Sequence, residues 1–326
     1  MKQAIGIGAA LVDLVTSVSE GWIVRCKKQK GGMYLVNWGE IGRILGNVDD
    51  LVTLPGGSAS NTMVGLAKLG GQARFICKVG NDELGDLYSL NLYRSGVNGF
   101  VRKSATPTGR VLSAVTPDAQ RTMFTYTGAS AELLATEISY EPFENTNVLY
   151  IEGYLAYNPS ILLHCINVAK DLGLQVIFDC GSYTVINDCR FILDSLINER
   201  KIDIIIANSD EAKALTGREE HLACTEMAKM AKTAIVKIGK KGSLVCDGGE
   251  VLHINAIEVK AIDTTGAGDL WASGFLYGYL NEWPIEKCAK LASAVAAEVV
   301  QVMGSIIPDE SYSKLLKIRD EIAQNA

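Results

Sequence analysis

Histidine is nearly missing from this chain of 326 residues. Only His164, His221 and His253 occur, and none has the spacing of a metal-ligating pair. Metal-hydrolase chemistry is therefore disfavoured. The absence of a Gly-x-Ser-x-Gly elbow likewise gives a Ser-His-Asp hydrolase no support. The eight cysteines stand singly, without a Cys-x-x-Cys pair, which argues against a zinc site or a disulfide framework and fits a reducing compartment. Basic runs are scarce too. "RCKKQK" (25–30) is the one cluster, it reads as a solvated loop tip, and the net charge is −6, so nucleic acid is not an expected partner. No apolar run approaches the roughly 20 residues needed to span a bilayer. Asp13 closely follows the short "AIGIGAALV", so this segment reads as a first strand rather than a signal peptide. The expected setting is the cytoplasm, away from membranes.

What remains is a hydrophobic fraction of 48% spread along a chain long enough for one large α/β domain or two ordinary ones. Short Val- and Ile-rich runs predict strands at 3–9, 73–79, 147–153, 174–179, 202–208 and 233–239. Helical periodicity covers 58–69, 82–95, 159–172 and 185–199 between them, and nearly all of the C-terminal third, at 267–280, 285–303 and 309–324. Near-continuous apolar strands separated by helices predict a parallel sheet covered on both faces. Residues 14–40 and 100–127 break the rhythm. They read as antiparallel hairpins, the second turning at "PDAQ" (117–120), and together they predict a small sheet over one edge of the core. Such a flap either covers a ligand or makes an edge or oligomer contact.

Ligands of α/β sheets lie beyond the carboxyl ends of the strands, and four loops of this chain follow predicted strands. Asp13 lies just past strand one, where an ionised carboxylate accepts hydrogen bonds from a polyol or simply caps the strand. The preceding Gly6-x-Gly8 lacks the third glycine of a dinucleotide fingerprint, Leu11 standing in its place. In "PGGSASNT" (55–62), paired glycines allow close backbone approach and Asn61 offers both donor and acceptor, while Ser58 reads as an N-cap. In "NSDE" (208–211), Asn208 and Glu211 form a capping box, or Glu211 holds a water of a Mg²⁺ ion. In "DTTGAGDLWASGF" (263–275), Gly266, Ala267 and Gly268 begin a helix, and their outward N–H groups with the helix dipole suit an anion such as phosphate. Asp269 follows in the first turn, placed to take a proton from an approaching hydroxyl. "GKKGS" (239–243) is no Walker A loop, since Ala234 occupies the first glycine position, and no protein-kinase His-Arg-Asp exists.

"DTTGAGD" (263–269), "GGSASNT" (56–62), "KVGNDELGD" (78–86), "NSDEAKALTG" (208–217) and "VKIGKKGS" (236–243) together resemble the ribokinase-like (PfkB-type) small-molecule kinases, in order and spacing over nearly the whole chain. "KGGMYLV", "PGGSASNT" and "DAQRTMFTYTGAS" are spaced most like the adenosine-kinase-like branch. The resemblance implies a three-layer α/β/α core with a mostly parallel sheet and a small antiparallel β lid, residues 1–326 forming one kinase domain. It also implies ATP, Mg²⁺ and phosphorylation of a primary alcohol. Asp269 would be the general base, and Gly266, Ala267 and Gly268 the anion hole. Asp13, Gly57, Ser58 and Asn61 match positions that hold sugar hydroxyls, and Asn208 and Glu211 the motif that organises Mg²⁺ and phosphates. Lys237, Gly239 and Gly242 would lie along the nucleotide, with Ser293 where ribokinases place asparagine beside adenine. Asp263 and Thr265 match a monovalent-cation loop, for K⁺, that some members use.

The expected acceptor is the 5′-hydroxyl of a nucleoside such as adenosine: Trp22, Tyr34, Trp38, Phe124 and Tyr126 of the lid region either stack on a base, which favours it, or form lid core. A ribose or fructose kinase is the close alternative. A non-catalytic sugar- or nucleoside-binding protein and a nicotinamide oxidoreductase are competitors from other classes. A monomer and a homodimer are both open.

Overall fold

Apolar residues at both alternate positions bury the two faces of nearly every central strand, which is the pattern a sheet covered by helices requires. The computed structural model describes residues 2–118, 120–199 and 201–324. In chain order the strands are β1 (Gln3–Ile7), β2 (Leu11–Ser17), β3 (Met33–Leu35), β4 (Val52–Pro55), β5 (Gln72–Gly80), β6 (Val97–Ser104) and β7 (Gly109–Val115). They continue as β8 (Arg121–Tyr126), β9 (Val148–Glu152), β10 (Gln175–Asp179), β11 (Ile204–Asn208), β12 (Thr233–Lys237), β13 (Ser243–Asp247) and β14 (Val251–Ile254). Nine form one sheet in the order β14-β13-β12-β11-β10-β9-β1-β5-β6. Its pairings are parallel from β6 to β12 and antiparallel at β12·β13 and β13·β14.

The helices are α1 (Glu20–Arg25), α2 (Trp38–Leu45), α3 (Ser58–Lys68), α4 (Glu83–Arg94), α5 (Pro159–Asp171) and α6 (Tyr183–Asp188). After them come α7 (Arg190–Asn198), α8 (Ser209–Thr216), α9 (Glu220–Met227), α10 (Ala267–Leu280), α11 (Ile285–Val299) and α12 (Asp309–Gln324). Strand side chains divide by period two between two cores. Ile5, Leu149, Val176, Ile205 and Ala234 pack with residues of α5 to α9 on one face. Ala4, Val148, Ile177, Ile204 and Ile235 pack with residues of α3, α4, α10 and α11 on the other. The result is the expected three-layer α/β/α core. Among the described residues no helix is long and apolar enough to cross a membrane.

The remaining strands make a second sheet, β3-β8-β7-β2-β4. Its β7–β8 hairpin and its β2·β4 pair are antiparallel, while β2·β7 and β3·β8 run parallel. Ala119, in the expected turn at 117–120, lies outside the described residues. The expected hairpin over 14–40 is corrected. That segment holds the rest of β2, helix α1, strand β3 and the start of α2. Ser19 accepts a hydrogen bond from the Trp22 N–H, and Asn37 with Glu40 forms a full capping box, so helix-starting side chains override the local alternation. Residues 100–104 also belong to the large sheet, as the end of β6. The stretch 185–199 is two helices that meet at Cys189. Strands β13 and β14 lie where no strand was expected.

Candidate active site

Strand order reverses between β1 and β9: the chain moves from β1 outward through β5 and β6, then returns beside β1 with β9 and proceeds the other way. Such a switch point opens a crevice at the carboxyl ends of the strands. Glu152 ends β9, Asp179 ends β10, Asn208 ends β11 and Lys237 ends β12, so four polar side chains line one edge of the sheet.

Asp269 stands at this edge in the first turn of α10. Its Oδ1 accepts from the Ser58 hydroxyl at 2.7 Å and its Oδ2 from Asn61 Nδ2 at 2.9 Å. Burial raises its carboxyl to about 6, the two donors pull it down, and the neighbouring Asp179 and Lys237 act in opposite senses. Ser58 is therefore not the N-cap of α3. Gly57 takes that position with φ 94°, where a Cβ would lie 2.4 Å from the Ala9 carbonyl, and the Ser58 hydroxyl is free to reach Asp269.

Gly266 caps α10 in the left-handed region, at φ 72°. The Ala267 N–H donates to the Thr264 carbonyl at 3.2 Å, so of the three expected anion-binding groups this one is engaged. The N–H groups of Gly266 and Gly268 meet no protein acceptor among the described residues. Lys237 completes the corner. A Cβ placed on Gly268 would lie 3.1 Å from its Nζ. The ammonium also donates to Asp179 Oδ2 at 3.0 Å. Burial works against its charge, but Asp179 and Glu211 outweigh it and hold its pKa above the ordinary lysine value.

Asn208 and Glu211 realise the capping box at the start of α8. Asn208 Oδ1 accepts from the Glu211 N–H at 2.9 Å, and Glu211 accepts from the Asn208 N–H at 2.8 Å and its Nδ2 at 2.7 Å. Burial lifts the Glu211 carboxyl to about 7 against the pull of Lys237. Asp13 lies inside β2 rather than capping β1, and burial raises it to about 7, opposed by the charge of Arg121. Asp263 opens the loop before α10 and pairs with Arg121 of β8. Gly239 and Gly242 flank the turn between β12 and β13. The Ser293 hydroxyl, on α11, is buried without a partner among the described residues, as is that of Ser243 at the start of β13.

Two residues of the crevice had no motif to announce them, and a third, Thr125, lies unremarked within "DAQRTMFTYTGAS". Glu152, 3% exposed, accepts from the backbone N–H groups of Ala9 and Ala59 at 2.9 and 2.8 Å, and so ties the β1–β2 turn to α3; burial lifts it to about 7. Gly8 is small for its sake, since a Cβ there would lie 2.5 Å from Glu152 Cδ. Asp179 accepts from Lys237 and from the Tyr150 hydroxyl at 3.1 Å. Thr125 lies level with Asp13 across the lid, through Val111, on the same face, and its buried hydroxyl has no partner among the described residues. A lone acid closing an apolar strand, as in "VLYIE" and "QVIFD", is the one signal that pointed to the first two.

The lid aromatics occupy the other face. Phe124 is fully buried, with Trp22 at 5.9 Å edge-on and Tyr34 at 6.0 Å, while Trp38 leans on Tyr126 at 5.3 Å. Register puts Asp13, Val111, Met123, Thr125 and Leu54 on one side of the lid, and Val12, Leu112, Phe124, Tyr126 and Tyr34 on the opposite side. Of the two readings open to these aromatics, Trp22, Tyr34 and Phe124 take that of lid core, whereas Trp38 is 48% exposed and rests between Tyr126 and the Arg110 guanidinium.

Taken together, a covered three-layer sheet with a lid, an anion-receptive helix start and a carboxylate beside it define a small-molecule kinase. A family model for pfkB family carbohydrate kinases matches residues 41–311. The 5-dehydro-2-deoxygluconokinase of Lacticaseibacillus casei is 30% identical over 284 residues, covering 82% of this chain and 86% of that protein. Among solved structures, a probable sugar kinase from Rhizobium etli CFN 42 superposes with a TM-score of 0.90 at 30% identity, covering 99% of this chain and 98% of its own. The adenosine kinase of Sinorhizobium meliloti gives 0.88 at 29%, covering 98% and 99%. The chain belongs to the PfkB family of ribokinase-like carbohydrate kinases. Kinases of this family use ATP, usually with a divalent metal.

Proposed function

We propose that the chain transfers a phosphoryl group from ATP to the primary hydroxyl of a small sugar, with Asp269 as the general base. The observation that carries this reading is the corner where Asp269, the N–H groups of Gly266 and Gly268 and the ammonium of Lys237 converge. Each Asp269 oxygen accepts one hydrogen bond from Ser58 or Asn61 and keeps a lone pair for the substrate proton. A pKa near 6 leaves it ionised at neutral pH and more basic than an ordinary aspartate. The free N–H groups and Lys237 stabilise the charge of the moving phosphoryl group, the main task of a protein in such reactions.

Asp13, Gly57 and Asn61, with the unpartnered Thr125 hydroxyl, are our candidates for holding the other substrate hydroxyls. The nucleotide would run along Lys237 and Gly239 toward Ser293, and the buried, unpaired hydroxyls of Ser243 and Ser293 fit a ligand that supplies their partners. Among the described residues no three His, Cys, Asp or Glu side chains gather into a metal cage. That fits Mg²⁺, which is commonly held by phosphates and water; Glu211 would orient such a water, and the ion would supply charge neutralisation. We read residues 1–326 as one kinase unit, with the second sheet closing over the acceptor.

The sugar is favoured over a nucleoside by the likeness to the Lacticaseibacillus casei 5-dehydro-2-deoxygluconokinase, and because Trp22, Tyr34 and Phe124 pack in the lid core. Phosphorylation of adenosine is the second reading, supported by the likeness to the Sinorhizobium meliloti enzyme. ADP release from Mg-ATP, measured against 5-dehydro-2-deoxygluconate, fructose, ribose and adenosine, tests both. Turnover of a sugar is expected, with a loss of about 10²–10⁴ in kcat for Asp269→Asn. A preference for adenosine selects the second reading, and near-normal turnover by Asp269→Asn sinks the mechanism.

A further inference from the structure

The family resemblance implies a monovalent cation at Asp263 and Thr265, and the residues here do not fit one. Four protein donors already occupy the Asp263 carboxylate. Oδ1 accepts from the Thr265 N–H at 3.0 Å and from the Thr265 hydroxyl at 2.8 Å. Oδ2 accepts from the Gly304 N–H at 2.6 Å and from the Arg121 guanidinium. Thr265 spends its hydroxyl hydrogen on Asp263, and the positive charge beside the carboxylate belongs to the protein. The side chains of Arg121 and Asp263 are 15% and 8% exposed, and they line a cavity of about 320 Å³ with residues 261–265.

We propose that Arg121 is the resident cation of this loop, so that the enzyme works without K⁺. The proposal rests on the kinase reading for its catalytic consequence. Asp263 lies three residues before Gly266, and its bonds to Thr265 and Gly304 set the course of the backbone entering α10. A cation there neutralises a mostly buried carboxylate and holds the loop rigid, so that the Gly266 and Gly268 N–H groups keep their aim. A guanidinium does this permanently, because it stays charged at every working pH and donates along fixed directions. It also arrives on β8, part of the lid, so the anion-binding turn and the lid share one ion pair. Arg121 is thus a positioning residue: it acts through the loop rather than on the reacting atoms.

The test compares K⁺, Na⁺ and tetramethylammonium chlorides at equal ionic strength, by steady-state kinetics and by thermal melting without substrates. Wild type should give the same kcat, to within about twofold, and the same melting midpoint in all three. K⁺-specific activation of about fivefold or more, or K⁺-specific stabilisation, overturns the proposal. Arg121→Lys, which keeps a cation, should remain indifferent to the salt. Arg121→Met leaves an uncompensated carboxylate that an external ion can serve, so kcat should fall about tenfold or more in tetramethylammonium and recover in K⁺. A folded Arg121→Met equal to wild type in every salt also overturns it. If that variant does not fold, the wild-type and Arg121→Lys series still decide. Melting needs no acceptor, so failure to find a substrate and failure of the resident-cation proposal are separate results.

Discussion

Ser58 shows how a single hydroxyl connects backbone geometry to chemistry. Because Gly57 absorbs the positive φ at the start of α3, Ser58 is released from capping and donates to Asp269 at 2.7 Å. That bond and the one from Asn61 favour the ionised carboxylate, whereas burial opposes it, and the balance stands at about 6. Removing one such donor to a charged group costs about 1.5–3 kcal/mol, which is about one to two pH units. Ser58→Ala should therefore move the Asp269 contribution to the acid limb of kcat/KM upward by about that amount. Burial also raises Asp13 to about 7, so with Asp13 as a proposed substrate ligand the signature is the displacement of one of two steps. A pH profile of the variant checks this, and an unmoved limb would mean that Asp269 is not the group being titrated.

At the scale of elements, the turn between β12 and β13 separates fold from function. Gly242 has φ 104° and ψ −128°, and a Cβ there would lie 1.9 Å from the Ile254 carbonyl. Gly239, at φ 60°, has open space around it. Gly242→Ala should lower stability by about 3 kcal/mol or more, since strain of this kind alone costs about 1–3. Gly239→Ala should cost only about 1–2 kcal/mol and act mainly on the KM for ATP. Denaturant unfolding beside ATP titrations distinguishes the two, and equal destabilisation would remove the distinction. The central strands and the bounds of α3, α4 and α10 were legible because period-two and period-3.6 burial is written directly in residue order. The lid was less so. Trp22, Ile23 and Ile41 are buried against strands far along the chain, and local alternation cannot show that partner. Candidate site residues within glycine-rich loops could be proposed from the sequence for the same local reason. Glu152 and Asp179 were not, because their partners, the N–H groups of Ala9 and Ala59 and the Lys237 ammonium, come together only when the parallel strands align.

Across the whole molecule the acids of the crevice should, on the proposed mechanism, tie stability and activity to pH in opposite directions. Asp13, Glu152 and Glu211 are raised to about 7 and Asp269 to about 6, from ordinary values of 3.8 for aspartate and 4.5 for glutamate. Between about 4.5 and 7 the folded chain therefore holds protons that the unfolded chain has released, and stability falls as pH rises through this window. The decline levels off once pH has passed beyond about 7. Carboxyls held below their ordinary values, such as Asp82 and Glu137, act elsewhere: their contribution is present above the ordinary range and is lost as pH falls toward their folded values. The melting midpoint without ligands should thus be highest near pH 5 and decline toward pH 8, on the order of 1–2 °C per kcal/mol for a chain this long. Glu152→Gln should flatten that decline without abolishing it, because three raised carboxyls remain. Calorimetry across this range decides the matter, and a midpoint that climbs steadily from pH 5 to 8 would show that the crevice carboxylates are not raised. With Asp269 as the proposed base, turnover should rise over the same interval. The protein should be most stable where its base is protonated and most active where the fold carries its buried charges.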